Sequence, residues 1–477
     1  MKRFRMALIL AFILVLATVG MAAAQSPAYQ TPFTTAVTYQ NVGSAEATIV
    51  FNFYPEMNAA PITVNKTLAA GAGSSLFMGN IDGLPQNFTG SGVLSSDGPI
   101  VATLVQIPTS TTVKNRPLSN GFSQGATDVR IPSVLKNRFN QTSRFSVQNA
   151  DSSAIDIKIQ FYDVANPSTP IDIPVTTNVP VGAAKVFDAG TLSQLGTVFN
   201  GSAVVTAVKT GTTTPANIVA SAMELSTNGN GASAFEGTST GAVKVYMASA
   251  LCNAFGGQTS FYAVQNTGGA LTEVTVTYSN GETDKKSIEP GAKQSFNSCT
   301  PAANDGLSGS ATITADQPLV VLGKVSGNGL STAFLGSGSG SQKVALPYVR
   351  WASNDKFNNN GRQRAYVSVQ NVGGATVDGV KVMYLNKNGE VVGSQTLDGI
   401  ADGSKKNSNP SQASVATGHT QNELNEFGTP DANPGGGFGG AVIVEGPAGS
   451  QLVAVVRIVS ADGAGIVGED YNGIPIQ

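Results

Sequence analysis

Histidine and tryptophan each occur once in the 477 residues, and cysteine twice. The single histidine, His419, leaves a Ser-His-Asp triad only one possible base and rules out a His-rich zinc site. Charge is equally sparse. Asp, Glu, Lys and Arg make up 12% of the chain and the net charge is −2, so no polybasic footprint marks nucleic acid or an anionic membrane as a partner. After Met6–Val19 no second apolar run approaches membrane-spanning length. No amphipathic helical pattern of useful length occurs, and Leu192–Phe199 offers one or two turns at most. Cys252 and Cys299 have no C-x-x-C spacing and no neighbouring His, which disfavours a metal or redox role. No residue pattern calls for a cofactor.

The amino terminus carries a targeting signal. Lys2, Arg3 and Arg5 precede the apolar stretch Met6–Val19, and Ala22-Ala23-Ala24 before Gln25 fits the small-residue cleavage pattern. Residues 1–24 therefore read as a signal peptide. The mature chain is expected to be secreted, extracellular or on the cell surface, with no membrane span. In that setting the lone cysteine pair reads as a disulfide closing a loop of about 47 residues, worth roughly 3–4 kcal/mol.

What is present is a repeat. Phe261–Ser279 alternates with period two: Tyr262, Val264 and Asn266 on one face, then Val274, Val276 and Tyr278 after a turn at Gly268. The pattern recurs at Val37-Tyr39-Asn41 with Ile49-Phe51-Phe53, at Phe145-Val147-Asn149 with Ile157-Ile159-Phe161, and at Val367-Val369-Asn371 with Val380-Val382-Tyr384. A second hairpin follows each, as in Gly90–Leu94 with Pro99–Val105 around Asp97-Gly98. The recurring Gln-Asn is read as turn chemistry, because Asn bonds the backbone two residues on and a following Gly takes positive φ cheaply.

The expected fold is all-β: four tandem antiparallel immunoglobulin-like sandwiches at 25–125, 126–241, 242–342 and 343–477, with an up-and-down barrel as the alternative. Short Gly/Ser/Thr linkers suggest an extended, semi-flexible rod. Module four carries an insertion, 402–437, expected to be a long exposed loop without structure of its own. Asn354-Asp355 and Asn358–Asn360 could offer oxygen ligands to calcium, but no D-x-[DN]-x-[DN]-G loop is present. The sequons at Asn65, Asn87, Asn140 and Asn200 are read as chance in an Asn/Ser/Thr-rich chain.

The repeated V-Q-N-x-G, the V-x-V-x-Y strand, the G-S-A-x-x-T hairpin and D-Q-P-L-V-V resemble tandem sandwich repeats of secreted bacterial surface proteins. The resemblance implies a non-catalytic structural or adhesive role, with self-association, other surface proteins or glycans as partners. A carbohydrate-binding accessory protein is the alternative, and Tyr348 and Trp351 exposed side by side would favour it. One more feature bears on assembly. Modules two to four open with a leading strand, and the tail Ile474-Pro475-Ile476 resembles Ile131-Pro132 and Leu346-Pro347 in two of these. The tail reads either as a spare strand that fills an open edge of module one in the next copy, building a filament or sheath head to tail, or as a disordered end with Tyr29–Thr34 making a short leading strand of module one.

Overall fold

The structure, a computed structural model, describes residues 33–109, 115–226, 231–239, 241–353, 363–429, 440–461 and 466–476. The targeting segment and the Asn354–Asn360 candidate lie outside these. The described residues are nearly all β, and no strand pairs with a strand of another module.

Module one comprises β1 (Phe33–Asn41), β2 (Ala47–Pro55), β3 (Ile62–Leu68), β4 (Gly73–Phe77), β5 (Gly90–Ser96), β6 (Ile100–Pro108) and β7 (Leu118–Asn120). They form two antiparallel sheets, β4-β1-β6-β7 and β3-β2-β5. Module two holds β8 (Asp128–Lys136), β9 (Gln141–Asn149), β10 (Ile155–Asp163), β11 (Asn166–Asp172), β12 (Thr176–Val179), β13 (Ala184–Asp188), β14 (Phe199–Lys209), β15 (Ile218–Ser226) and β16 (Ala232–Glu236). Its sheets repeat the plan as β13-β9-β15-β16 and β11-β10-β14-β8, with the leading strand β8 now flanking β14.

Module three holds β17 (Ala242–Leu251), β18 (Thr259–Asn266), β19 (Thr272–Tyr278), β20 (Thr283–Ile288), β21 (Lys293–Asn297), β22 (Ser308–Gly327) and β23 (Leu330–Leu335). Here β22 runs through both layers. Its first part pairs with β17 and β19, and its second with β18 and β23. Module four holds β24 (Lys343–Leu346), β25 (Arg364–Asn371), β26 (Val380–Leu385), β27 (Val391–Leu397), β28 (Lys405–Ser408), β29 (Ser414–Val415), α1 (Gln421–Asn425), β30 (Ala441–Glu445), β31 (Leu452–Ala461), β32 (Ile466–Asn472) and β33 (Ile474–Ile476). Its sheets are β28-β25-β31-β32 and β29-β27-β26-β30-β24-β33.

Each core is the inward set that the alternation specifies. Val147, Ile157, Ile159 and Phe161 in module two, and Val264, Val274, Val276 and Tyr262 in module three, are at most 1% exposed. Burying such side chains contributes about 1.5–3 kcal/mol each.

The modules do not string out into a rod. Ala263, Leu322 and Ala333 of module three join the core cluster of module two. Val453, Val455 and Val459 of module four join that of module three. Ala36, Val105 and Leu118 of module one join that of module four, and Glu56 and Met57 of module one dock on module two. The contacts thus run from each module to the next and from the fourth back to the first, closing a ring. The closing strands meet at its centre: β7 touches β16, β16 touches β23, β23 touches β32 and β32 touches β7. The physical reason is that the central strand of one sheet in each module is apolar on both faces. Runs such as Leu319-Val320-Val321-Leu322 and Leu452-Val453-Ala454-Val455-Val456 cannot leave either face in water.

The insertion in module four is likewise not a bare loop over its described part. Pro410 and Ala413 are buried, Leu424 is 0% and Phe427 2% exposed, and the Phe427 ring meets Tyr384 edge-on at 5.4 Å. A capping box between Thr420 and Glu423 starts α1. Buried apolar anchors spaced through a Gly/Asn/Pro-rich stretch fold it onto the module.

Candidate functional site at the module junctions

The marker Asn of each module does more than form a turn. Asn266, fully buried, donates from Nδ2 to Ala270 O at 2.7 Å and Ile288 O at 3.0 Å, while its Oδ1 accepts from Gly268 N at 2.9 Å. Asn41, Asn149 and Asn371 make the same three kinds of bond. Each amide staples two loops together inside its module.

The Gln before it faces the neighbouring module. Gln148, Gln265 and Gln370 donate from Nε2 to the carbonyls of Gly182, Gly291 and Gly403 at 2.9, 3.0 and 3.0 Å. The same three carbonyls accept the hydroxyls of Ser91, Ser202 and Ser310 from the preceding module, at 2.6, 2.9 and 2.6 Å. Gly182 and Gly291 have φ of 76° and 74°, and a Cβ on either would meet the ring of Tyr54 or Tyr162 at 2.6 Å. Only glycine fits there. At the fourth junction Gly440 stands where the serine would be, and closure is by backbone, with Gly73 N donating to Lys387 O at 3.1 Å.

Charge is spent at these junctions. Between modules two and three, Glu224 is fully buried. Its Oε2 takes Lys324 Nζ at 2.6 Å and its Oε1 takes the Ser133 hydroxyl at 2.7 Å. Lys293 lies 3.4 Å from the same hydroxyl. Burial, then repulsion from Lys324, lowers Lys293 to about 7. Between modules three and four, Arg457 grips Asp470 through two bonds at 2.9 and 2.7 Å, and Thr332 donates to Asp470 at 2.8 Å. Burial, then Arg457, lowers Lys405 beside them to about 7.

On the ring axis, Asn120 donates its backbone N–H to Glu236 and its Nδ2 to Asn472 O at 2.8 Å. Asn472 in turn exchanges two bonds with Leu335, at 2.6 and 2.7 Å. Asn120, Glu236, Leu335 and Asn472 occupy matching places on the four closing strands. Burial raises the Glu236 carboxyl to about 7 and pushes Glu469, which accepts from Arg116 N–H, well above the ordinary range.

The residues singled out in the sequence fare differently. A disulfide joins Cys252 and Cys299, with Cα atoms 5.1 Å apart. Tyr348 and Trp351 are not an exposed pair: they are 3% and 5% accessible, with the Tyr348 hydroxyl on Gln363 at 3.0 Å and Trp351 Nε1 on Ser353 at 2.8 Å. The segment that follows β24 carries them into the module-four core, which removes the platform that the carbohydrate-binding alternative required. Ile474-Pro475-Ile476 is not a spare strand either. It pairs with β24 of its own module, Ala345 opposite Ile474 and Lys343 opposite Ile476, and its two Ile side chains pack against a small apolar cluster that includes Val101 of module one. His419 Nδ1 rests 3.1 Å from Glu423 Oε1 as part of the α1 start. Among the described residues no group of three His, Cys, Asp or Glu could hold a metal, and no helix is long and apolar enough to cross a membrane.

Sequence reasoning missed two residues. Phe139 and Phe255 are 64% and 63% exposed, at the tips of matching loops before β9 and β18, with φ of 53° and 48°. Both loops are braced alike: Asn137 N bonds Thr142 Oγ1 at 3.0 Å, and Asn253 N bonds Thr259 Oγ1 at 3.2 Å. The shared Asn-x-Phe followed closely by Gln-Thr-Ser, at 137–143 and 253–260, was the available signal.

No protein-family description matches the chain, and no curated protein does. A solved structure described as a tetra-tandem repeat in the extending region of a large adhesion protein aligns with 92% of this chain and 94% of its own, at 13% identity and a TM-score of 0.12.

Proposed function

We propose that this chain is a non-catalytic structural or adhesive protein of the extracellular surface. The observation that carries the reading is how the repeated residues are used. The Gln, Asn, Gly and Ser that recur from module to module all hold turns closed or join one module to the next. Selection on such residues favours a durable scaffold. The disulfide in module three suits an oxidising location. Adhesive contact falls to Phe139 and Phe255. A bulky residue at positive φ is strained, and strain held in place by a braced loop points to use.

The experiment has two arms: sedimentation of the purified protein for self-association, and binding of labelled protein to the surface of the producing cells. Self-association or saturable surface binding is expected, with the surface binding reduced in the double variant Phe139→Ser/Phe255→Ser. A protein that does neither at high concentration refutes the reading.

A further inference from the structure

The loops that carry Phe139 and Phe255 are tied down in the same place by two different chemistries. Leu135 N donates to Ser143 Oγ and Leu251 N to Ser260 Oγ, each at 2.9 Å, which sets Lys136 of module two in the place of Cys252 of module three. Gly190 N donates to Asp188 Oδ1 at 2.8 Å and Cys299 N to Asn297 Oδ1 at 2.9 Å, which matches Gly190 with Cys299. Leu195 N on Leu192 O and Asn304 N on Pro301 O then match Leu192 with Pro301. Across this gap module two sets Lys136, buried, whose Nζ donates to Leu192 O at 2.8 Å. Module three sets the Cys252–Cys299 bond. In both modules the phenylalanine is the third residue after the tie, Lys136 to Phe139 and Cys252 to Phe255. A covalent and a hydrogen-bonded answer to one geometric demand point to the demand itself: the loop that lifts the phenylalanine must be fastened to the short turn beside it.

The tie in module three reaches the loop directly. Thr259 Oγ1, which accepts from Asn253 N, lies 3.7 Å from Cys299 Sγ, so the bond and the loop backbone share one anchor. The two tips also belong to one end of the ring. Gln141 pairs with Ser226 and Thr259 with Ser326, so each loop lies where β15 gives way to β16 and β22 to β23. Those ends adjoin, since a Cβ on Gly231 would meet Ser331 at 3.4 Å. Phe139 and Phe255 can therefore engage one surface together, each raising the effective concentration of the other.

We infer that the Cys252–Cys299 bond is the positioning device of the Phe255 contact, and that a dithiol switches this contact off while leaving Phe139 in place. The inference rests on the adhesive reading above and adds its regulation. Cys299 is half exposed and open to a small dithiol, whereas Cys252 is buried. A thiolate of the reagent attacks Cys299 Sγ, the S–S bond breaks and Cys252 leaves as a thiolate. The second thiol of the reagent then displaces Cys299 and closes the reagent's own disulfide, so two electrons and two protons pass from the dithiol to the cysteines. Without the tie, Gly256 and Gly257, at φ of 85° and 108°, let the loop relax and Phe255 leave its strained pose. Module two, held by Lys136, offers nothing to reduce.

The test measures binding of the labelled full chain to producing cells, before and after the protein is treated with dithiothreitol and the reagent removed under alkylation. The parent, Phe255→Ser and Phe139→Ser are compared, with circular dichroism and Trp351 fluorescence showing that each sample is folded. Reduction is expected to bring the parent down to the level of Phe255→Ser, to abolish binding by Phe139→Ser and to leave Phe255→Ser unchanged. Cys252→Lys/Cys299→Gly rebuilds the module-two tie toward Pro301 O and should bind as the unreduced parent does, with or without dithiothreitol. No loss in the parent, or an equal loss in Phe255→Ser, overturns the inference. Hydrogen exchange supplies a readout independent of binding: on reduction the amides of 253–258 should exchange faster while those of 137–142 hold. No change, or a change spread evenly over both loops, overturns the inference. A parent that binds no cell surface refutes the adhesive reading alone, and the exchange result then decides the role of the bond.

Discussion

Replacing Asn266 by alanine tests the staple that recurs in every module. The side chain is 0% exposed and makes three bonds, two donated to backbone carbonyls and one accepted from a backbone amide. At about 1 kcal/mol net per bond, with a further penalty of about 1–2 kcal/mol for buried carbonyls left unpaired, Asn266→Ala costs about 4 kcal/mol. Asn266→Asp sharpens the argument. It keeps the acceptor for Gly268 N but sets a carboxylate oxygen where the amide donated, against the carbonyls of Ala270 and Ile288. At neutral pH it costs at least as much as alanine. In acid, protonation restores one donor, so part of the loss returns as pH falls below the carboxyl's raised folded value. Urea unfolding followed by circular dichroism measures the loss. The fluorescence of Trp351, buried in module four, reports whether the damage spreads around the ring. A cost below about 1 kcal/mol for alanine, or an aspartate variant as stable as the parent at neutral pH, refutes the account of the staple. A Trp351 transition that does not move refutes the coupling.

Reducing the Cys252–Cys299 bond, which closes 47 residues, lowers stability by roughly 4 kcal/mol on the chain-entropy estimate, read as a drop in the urea midpoint. Stability also depends on pH through groups of opposite sign. Glu236 rises from 4.5 to about 7 on folding, so its contribution is full below pH 4.5 and is lost as pH climbs through 7. Lys293 and Lys405 fall from 10.5 to about 7, so theirs is full above 10.5 and is lost as pH drops to 7. Thermal unfolding across pH 4–10 should show a minimum near 7, and Glu236→Gln should make the acidic limb shallower, Glu469 supplying the rest, while sparing the alkaline one. Phe139→Asn places a residue tolerant of positive φ at a strained position; it should raise stability by about 0.5–1 kcal/mol while weakening surface binding. A stability loss would show that the exposed ring is structural.

The strands were legible because half-buried sheets alternate, and Val37-Tyr39-Asn41 and its counterparts alternate cleanly. The ring was harder to see because its signal is the failure of alternation. Leu452-Val453-Ala454-Val455-Val456 reads at first as a strong strand, yet Val453 and Val455 belong to the neighbouring module's core. The insertion misled through composition. Gly, Asn and Pro around Leu424 and Phe427 suggest disorder, but two apolar anchors suffice to dock it. Tyr348 and Trp351 misled in the opposite sense, since an aromatic near a module start says nothing of which way its strand faces. The Gln-Asn motif gave its turn chemistry from residue type alone. Its stapling role required knowing which carbonyls the fold brings within 3 Å.

The return contact between the fourth module and the first has a consequence for how such a gene can change. A string of beads can gain or lose a bead by unequal recombination and remain a string. Here the turn from one module to the next must add up to a full circle, and Gly73 must find Lys387 while Asn120 finds Asn472. Three modules would leave these partners out of reach, and five would collide before they met. The number four is therefore held by angle, and length variants should be found only where the circle has already been broken.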